Sequence, residues 1–124
     1  MVVASTDTAR AMRSGSLEVL ATPRVVALCE EATVAALADH LAPGYTSVGM
    51  RVQIDHLQPT AVGATVEAEA TLERIEGRRL TFTVSAADVR GLVAAGKVTR
   101  VLVEVDRFNS KVSSPAGAPS SPAR

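Results

Sequence analysis

Aromatic side chains are almost missing from this sequence, which has one tyrosine, two phenylalanines and no tryptophan in 124 residues. Proteins that bind single-stranded nucleic acid stack bases on aromatic side chains along a positively charged groove. The chain offers neither feature, because its 13 basic and 13 acidic residues cancel to a formal net charge of zero. We therefore expect no nucleic-acid partner.

Cysteine is equally scarce, since Cys29 is the single one in the sequence. One cysteine excludes an intramolecular disulfide and is typical of a reducing compartment. We interpret Cys29 as a small core residue. No apolar run approaches the roughly 20 residues that span a bilayer, and the N-terminus lacks a charged segment followed by an apolar one. We expect no signal peptide, no membrane contact and a cytoplasmic location.

Patterns that bind metals or phosphates are absent as well. The two histidines, His40 and His56, lie far apart in the sequence, and neither an HxxxH nor a CxxC spacing occurs. No glycine-rich phosphate loop is present. We expect neither a metal ion nor a cofactor.

Apolar residues make up 47% of the chain, which is enough for one globular domain. We predict that this domain covers residues 1–112. Residues 113–124 consist mainly of serine, proline, alanine and glycine, so we predict a disordered C-terminal tail there.

A long helix is predicted between residues 22 and 41. Thr22 followed by Pro23 is a helix start, with a hydroxyl able to cap free amides, and Pro43-Gly44 is a stop. The helix is apolar almost all round, so a sheet is expected to wrap it.

Glu30 is the unusual residue of this helix. At 100° per residue its neighbours on one face are mostly apolar, while Glu31 falls on the opposite side. That face contains Val26, Ala27, Thr33, Val34, Leu37 and Leu41. A carboxylate on a buried face costs several kcal/mol unless it is paired, which indicates a functional role for Glu30.

Four strands are predicted after the helix from alternating apolar residues. They cover residues 47–56, 65–74, 78–86 and 92–106, with a hairpin turn at Glu76-Gly77. In the first strand the alternation places Val48, Met50, Val52, Ile54 and His56 on the inner face. The last strand is apolar on both faces, which favours a position in mid-sheet or at a subunit contact. Residues 1–4 are predicted as a short edge strand. The fold class is α+β.

Thr22, Glu30 and His56 are the candidate catalytic residues. A helix packed on a sheet brings them to one side, and a hydroxyl, a carboxylate and an imidazole together can activate a nucleophile at an acyl carbon. The helix N-terminus adds amides for an oxyanion. Structural roles are the alternative: Thr22 as a helix cap and His56 as a core histidine.

Several segments between Leu20 and Val112 resemble the fluoroacetyl-CoA thioesterase group of the hot-dog-fold superfamily. They share its spacing of threonine, glutamate and histidine, eight and then 26 residues apart in this chain. The segments are Ala21-Thr22-Pro23, Cys29-Glu30-Glu31-Ala32, Thr46-Ser47-Val48-Gly49, His56-Leu57-Gln58-Pro59-Thr60, Glu76-Gly77-Arg78-Arg79-Leu80 and Arg107-Phe108-Asn109.

The resemblance implies a hot-dog fold, in which an antiparallel sheet wraps one long central helix. It also implies a homodimer joined edge to edge, with the active sites at the interface, and hydrolysis of an acyl-CoA thioester by Thr22, Glu30 and His56. Glu30 would act as general base or nucleophile and pair with His56. Gly49 matches a glycine that meets the acyl group, and Arg100 an arginine near the CoA arm.

The sequence departs from the family's pattern in two places. The family's lid phenylalanines have no counterpart in residues 14–18, and Gly96-Lys97-Val98-Thr99-Arg100 keeps the arginine of the family's last-strand motif without its histidine. The acyl specificity is therefore left open, as is the choice between direct attack by water and a covalent acyl-enzyme. A binding module that holds an acyl thioester without cleaving it is the alternative function, and a hot-dog hydratase or dehydratase is a third.

Overall fold

The computed structural model describes residues 1–113. Four strands follow a long helix, and short helical segments precede and follow them. The helices are α1 (Ala9–Met12), α2 (Thr22–Leu37) and α3 (Val105–Ser113), with a 3₁₀ turn at Ser5–Asp7; the strands are β1 (Tyr45–His56), β2 (Glu67–Glu76), β3 (Arg79–Asp88) and β4 (Gly91–Glu104).

The strands form one antiparallel sheet in the order β1-β4-β3-β2, and α2 packs across one face of it. The α+β layout predicted from the sequence is confirmed. The mid-sheet position of the last strand is also confirmed, because β4 pairs with β1 on one side and β3 on the other. This position explains why its apolar residues occur on both faces.

The two edges of the sheet differ. At the β2 edge, the N-terminal residues lie against the start of β2, where the backbone N–H of Val66 donates to the Met1 carbonyl over 2.8 Å and Val2 forms a bridge with Thr65. The predicted N-terminal strand is thus reduced to a single bridge. At the other edge, β1 has no backbone partner on its outer side among residues 1–113.

A β-bulge at Met50 interrupts β1. Gly49 pairs with Arg100 and Arg51 with Thr99, so Met50 is the extra residue. One extra residue reverses the alternation of side chains along a strand. The predicted inward direction holds for Ile54 and His56 beyond the bulge, but it is wrong for Val48 and Met50. Before the bulge, it is Ser47 and Gly49 that face the helix.

Helix α2 begins as predicted at Thr22, but its N-cap is Ala21 and no side chain caps it, so the predicted Thr22 cap is wrong. It ends at Leu37, one turn before the predicted end. Beyond that point the chain tightens into 3₁₀-type turns, with the N–H of Ala38 donating to Ala35 and that of His40 to Leu37.

The core lies between one face of α2 and the sheet. The buried α2 residues are Val25, Leu28, Cys29, Thr33 and Leu37, and they pack with Phe82, Val84 and Ala86 of β3. Cys29 is fully buried, which raises the pKa of its thiol by desolvation and confirms its assignment to the core. The sheet does not wrap α2 all round, because Val34 remains 49% exposed.

The remaining predicted boundaries shift slightly. β2 starts and ends two residues later than predicted, so that the hairpin turns at Gly77 and Arg78, with Gly77 at a φ of 62°. The last strand ends at Glu104, and α3, which was not predicted, follows it. The predicted tail overlaps α3 at Ser113, and the rest of it lies outside the described residues.

None of the helices within residues 1–113 is both long and apolar enough to cross a membrane.

Asp88, at the end of β3, is a buried carboxylate with several donors. Its side chain is 3% exposed, and it accepts hydrogen bonds from the backbone N–H of Arg90 over 2.8 Å and from the Arg90 guanidinium over 3.1 Å. These Arg90 hydrogen bonds lower the pKa of Asp88 from its ordinary value of 3.8. The carboxylate therefore stabilises the fold when it is ionised.

We expect Asp88→Asn to lower the free energy of unfolding at pH 7. Because the pKa of Asp88 is lower in the folded state than in the unfolded one, the stabilisation is complete above about pH 4 and is lost as the pH falls through the lowered folded pKa. Urea unfolding of the wild type and the variant at pH 7, 5 and 3 measures whether the difference between their free energies of unfolding shrinks as the pH falls. Asp39→Asn, at an exposed position, is the matched control, and a constant difference across the three pH values would contradict the assignment.

Candidate active site

Thr22 and His56 meet where the start of α2 lies beside the end of β1. The hydroxyl oxygen of Thr22 lies 2.8 Å from Nδ1 of His56, which is hydrogen-bond distance. The other ring nitrogen, Nε2, is buried and has no hydrogen-bond partner within residues 1–113. The imidazole is thus engaged on one side only.

This arrangement has a direct chemical consequence. When the Thr22 hydroxyl donates to Nδ1, the neutral ring carries its own proton on Nε2. A hydroxyl bonded to one nitrogen and a carboxylate bonded to the other form the arrangement that activates serine and threonine nucleophiles. Here the hydroxyl and the imidazole are in place, and the acceptor for the Nε2 proton has to come from elsewhere.

Glu30 lies in a second cluster. Its Oε2 is 3.6 Å from Nη1 of Arg100, and its side chain is 36% exposed at the flank of α2. The sequence predicted that Glu30 is buried, whereas the structure shows its side chain only partly buried. The carboxylate also lies directly over Gly49, where the Cβ of any larger residue would be 2.6 Å from Oε2. No side chain fits between the carboxylate and the β1 backbone at this position.

Arg100 is the fixed element of this cluster. Its side chain is only 8% exposed, and its Nε and Nη2 donate to the hydroxyl and the backbone carbonyl of Ser47 over 2.7 and 3.1 Å. The remaining nitrogen, Nη1, faces Glu30. Within the described residues its donors are directed to Ser47 and Glu30, and a place near the CoA arm stays a prediction.

Ser47 was not assigned a role from the sequence. The alternation of apolar residues along β1 placed it on the outer face, together with Gly49. The bulge at Met50 reverses that assignment and turns both residues toward α2. A bulge leaves little trace in a single sequence. The small and polar residues among positions 46–49, a threonine, a serine and a glycine, were the one available sign that this part of β1 does not face the core like a regular apolar strand.

The predicted catalytic residues therefore form two clusters within one chain. Eight residues of helix separate Thr22 from Glu30, which is about 12 Å along the helix axis. His56 contacts Thr22, and Glu30 contacts Arg100. The expected pairing of Glu30 with His56 is not present within a single chain. A cavity of about 480 Å³ opens beside Glu30 and Arg100 on the flank of α2.

Comparisons with known proteins identify the family of the chain. The family model for the fluoroacetyl-CoA-specific thioesterase matches residues 3–106. The chain is 40% identical over 102 residues to the fluoroacetyl-CoA thioesterase of Streptantibioticus cattleyicolor, covering 81% of this chain and 73% of that protein.

Solved structures show the same architecture. A variant of the fluoroacetyl-CoA-specific thioesterase FlK in complex with fluoroacetate and CoA matches with a TM-score of 0.85 and 36% identity, over 90% of this chain and 92% of that one. A hot-dog-like protein from Thermanaerovibrio acidaminovorans matches with a TM-score of 0.83 and 32% identity, over 90% and 83% of the two chains.

The sheet, the long helix and the matches to known proteins define a hot-dog-fold protein of the thioesterase class, as the resemblance implied. Within that class, the chain belongs to the fluoroacetyl-CoA-specific thioesterase family, because the family model and a relative well above 30% identity both cover most of its length.

Gly49→Ala tests the contact between β1 and Glu30. The added methyl group would displace the carboxylate, and misplacing a catalytic group by about 1 Å costs about a hundredfold in rate. We expect that loss in kcat for thioester hydrolysis, measured by thiol release. Gly49 is not among the glycines with positive φ, so the fold should be retained. Thermal unfolding near the wild-type midpoint confirms retention, and full activity in a folded variant would contradict the arrangement.

Proposed function

We propose that this protein hydrolyses acyl-CoA thioesters at a site assembled from two subunits of a homodimer. Thr22 and His56 come from one subunit, and Glu30, with Gly49 and Arg100 beside it, from the other. The observation that carries the proposal is that only one nitrogen of the His56 ring is hydrogen-bonded. Nδ1 lies at hydrogen-bond distance from the Thr22 hydroxyl, while Nε2 is buried without a partner among the described residues. Glu30 of the same chain lies about 12 Å along the α2 axis from Thr22, which contacts the opposite side of the ring, so the carboxylate that serves this nitrogen comes from a second chain.

The free edge of β1 supports the dimer. It is 12 residues long and exposes unpaired backbone groups, and the adjacent side chains Met50 and Val52 are 46% and 37% exposed. Such an edge is a template for pairing with a second strand. A two-fold axis at this edge would pair β1 with itself in antiparallel fashion and exchange the two clusters between subunits.

In the proposed reaction, His56 takes the proton of the Thr22 hydroxyl as its oxygen attacks the thioester carbonyl. The C–S bond breaks, and His56 returns the proton to the leaving thiolate. Water then attacks the acyl-Thr22 ester and gives a proton to His56, and His56 returns this proton to the Thr22 oxygen as the C–O bond breaks and the acid leaves. Glu30 of the partner subunit accepts a hydrogen bond from the Nε2–H of His56 throughout and stabilises the imidazolium.

The other cluster members position Glu30. Arg100 holds the carboxylate from one side, and Ser47 fixes Arg100 in turn. Gly49 leaves the carboxylate room against the β1 backbone. The acyl group is not identified by these contacts. Fluoroacetyl-CoA, on which the named relatives act, is the first substrate to test, and a cytoplasmic location stays a prediction.

Glu30→Gln is the primary test of the reaction. Losing the carboxylate that supports the base should lower kcat by at least about a hundredfold, measured as thiol release from acetyl-, fluoroacetyl-, butyryl- and hexanoyl-CoA. Glu76→Gln is the matched control: this exposed glutamate pairs with Arg74 over 3.7 Å at the hairpin between β2 and β3, and its activity should be unchanged. Absence of thiol release from wild type with every thioester would favour the binding module instead.

A mixed dimer tests whether the site is shared. Glu30→Gln and His56→Ala are each expected to be inactive as homodimers. In a heterodimer of the two, both defects fall in one site and the other site is intact, so we expect about half of the wild-type activity. Two different affinity tags allow the heterodimer to be purified. Zero activity would place the whole site within one chain, and a tagged heterodimer carrying Glu30→Gln in both chains is the negative control.

A further inference from the structure

The loop that follows β1 connects the two partners of the hydroxyl–imidazole pair. It covers residues 57–60 and begins directly after His56. At its other end, the carbonyl of Thr60 accepts a hydrogen bond over 2.8 Å from the N–H of Leu20, which is two residues before Thr22. The position of this loop therefore affects where both candidate catalytic side chains lie. We call residues 57–60 the linking loop.

Two hydrogen bonds hold the linking loop against the turn between β3 and β4 and the start of β4. The N–H of Leu57 donates to the carbonyl of Val93 over 2.7 Å. Two residues further along, Nη2 of Arg90 donates to the carbonyl of Pro59. The first bond joins two backbones, whereas the second is made by a side chain. A substitution at Arg90 can therefore release the middle of the loop without changing its backbone.

Asp88 holds the Arg90 side chain in place. Nη2 of Arg90, the atom that bonds to the loop, lies 3.1 Å from Oδ2 of Asp88, and the Thr60 hydroxyl approaches the same oxygen at 3.5 Å. Oδ1 accepts the backbone N–H of Arg90 over 2.8 Å. The carboxylate is only 3% exposed, so these contacts fix its position. The guanidinium thus connects a fixed carboxylate to the linking loop.

The bond from Arg90 to the loop contributes more to geometry than to stability. The Arg90 side chain is 54% exposed, and interactions of solvent-exposed charged side chains contribute little to the free energy of unfolding. A charge-assisted hydrogen bond is nevertheless short and directional. It limits the positions that the Pro59 carbonyl can take, and with it the positions of the residues on either side.

We propose that Arg90, held by Asp88, is a positioning residue: it fixes the linking loop so that the Thr22 hydroxyl and Nδ1 of His56 stay at hydrogen-bond distance. Arg90 lies outside both clusters of candidate catalytic residues. The effect on the reaction rests on the proposed function, whereas the effect on the Thr22–His56 hydrogen bond does not.

The first test is ¹⁵N NMR of the histidine rings. The chemical shift of an imidazole nitrogen depends on its hydrogen bond, and the chain has only two histidines, so His40→Gln assigns the signals. Thr22→Val gives the Nδ1 shift of His56 without the hydroxyl. Arg90→Met keeps the aliphatic stem and removes the donors. We expect it to move the Nδ1 shift at least halfway from the wild-type value toward that of Thr22→Val.

Two further variants separate positioning from a general loss of stability. Arg90→Lys keeps an ammonium group that can donate to Pro59 and Asp88, so the Nδ1 shift should stay near that of wild type. Val84→Ala removes two methyl groups from the core on the same strand as Asp88, and lowers stability through packing alone. It should leave the Nδ1 shift unchanged. A wild-type shift in Arg90→Met, or the same displacement in Val84→Ala, overturns the inference.

The second test measures kcat and KM separately for thioester hydrolysis. Misplacing a catalytic group by about 1 Å costs about a hundredfold in rate, so Arg90→Met should lower kcat by about 10- to 100-fold with KM nearly unchanged. If wild type hydrolyses thioesters and Arg90→Met keeps the wild-type kcat, the inference is wrong and the proposed function stands. If wild type hydrolyses none, the proposed function fails, and the ring shifts alone decide the inference.

Discussion

The arrangement of both clusters depends on the bulge at Met50. Before it, Ser47 and Gly49 face α2. Ser47 accepts a hydrogen bond from Arg100, and Gly49 lies directly under the carboxylate of Glu30. After it, the alternation is reversed, so that His56 faces α2 and reaches Thr22. A regular strand would turn either the first set or the second away from the helix. One inserted residue thus allows a single strand to serve two sites on the same helix.

The long helix contributes to the site through its incomplete burial. Its core face anchors it against β3, whereas the flank with Glu30 and Val34 stays open. Among residues 1–113, the open flank and the free β1 edge leave backbone and apolar groups uncovered. A second copy would cover these groups and bring together the two clusters, so the proposed dimer and the proposed active site would have the same physical origin.

Arg100 shows how the site controls a carboxylate without enclosing it. A buried guanidinium is costly unless its donors are satisfied. Two of its nitrogens bond to Ser47, and the third is directed at Glu30. The arginine is held by its neighbours and in turn orients the proposed catalytic glutamate, whose side chain is 36% exposed. Such a fixed orientation is what a catalytic group requires.

The sequence by itself determined the α+β class and the start of α2 at Thr22-Pro23, and it limited β4 to mid-sheet or a subunit contact, because these follow from local periodicity and turn chemistry. It also singled out Thr22, Glu30 and His56 as polar residues at special positions. Only the tertiary structure decided which of them touch. The bulge, the role of Ser47 and the distance between Glu30 and His56 depend on strand register and packing between elements distant in the chain, and a one-dimensional pattern does not encode either.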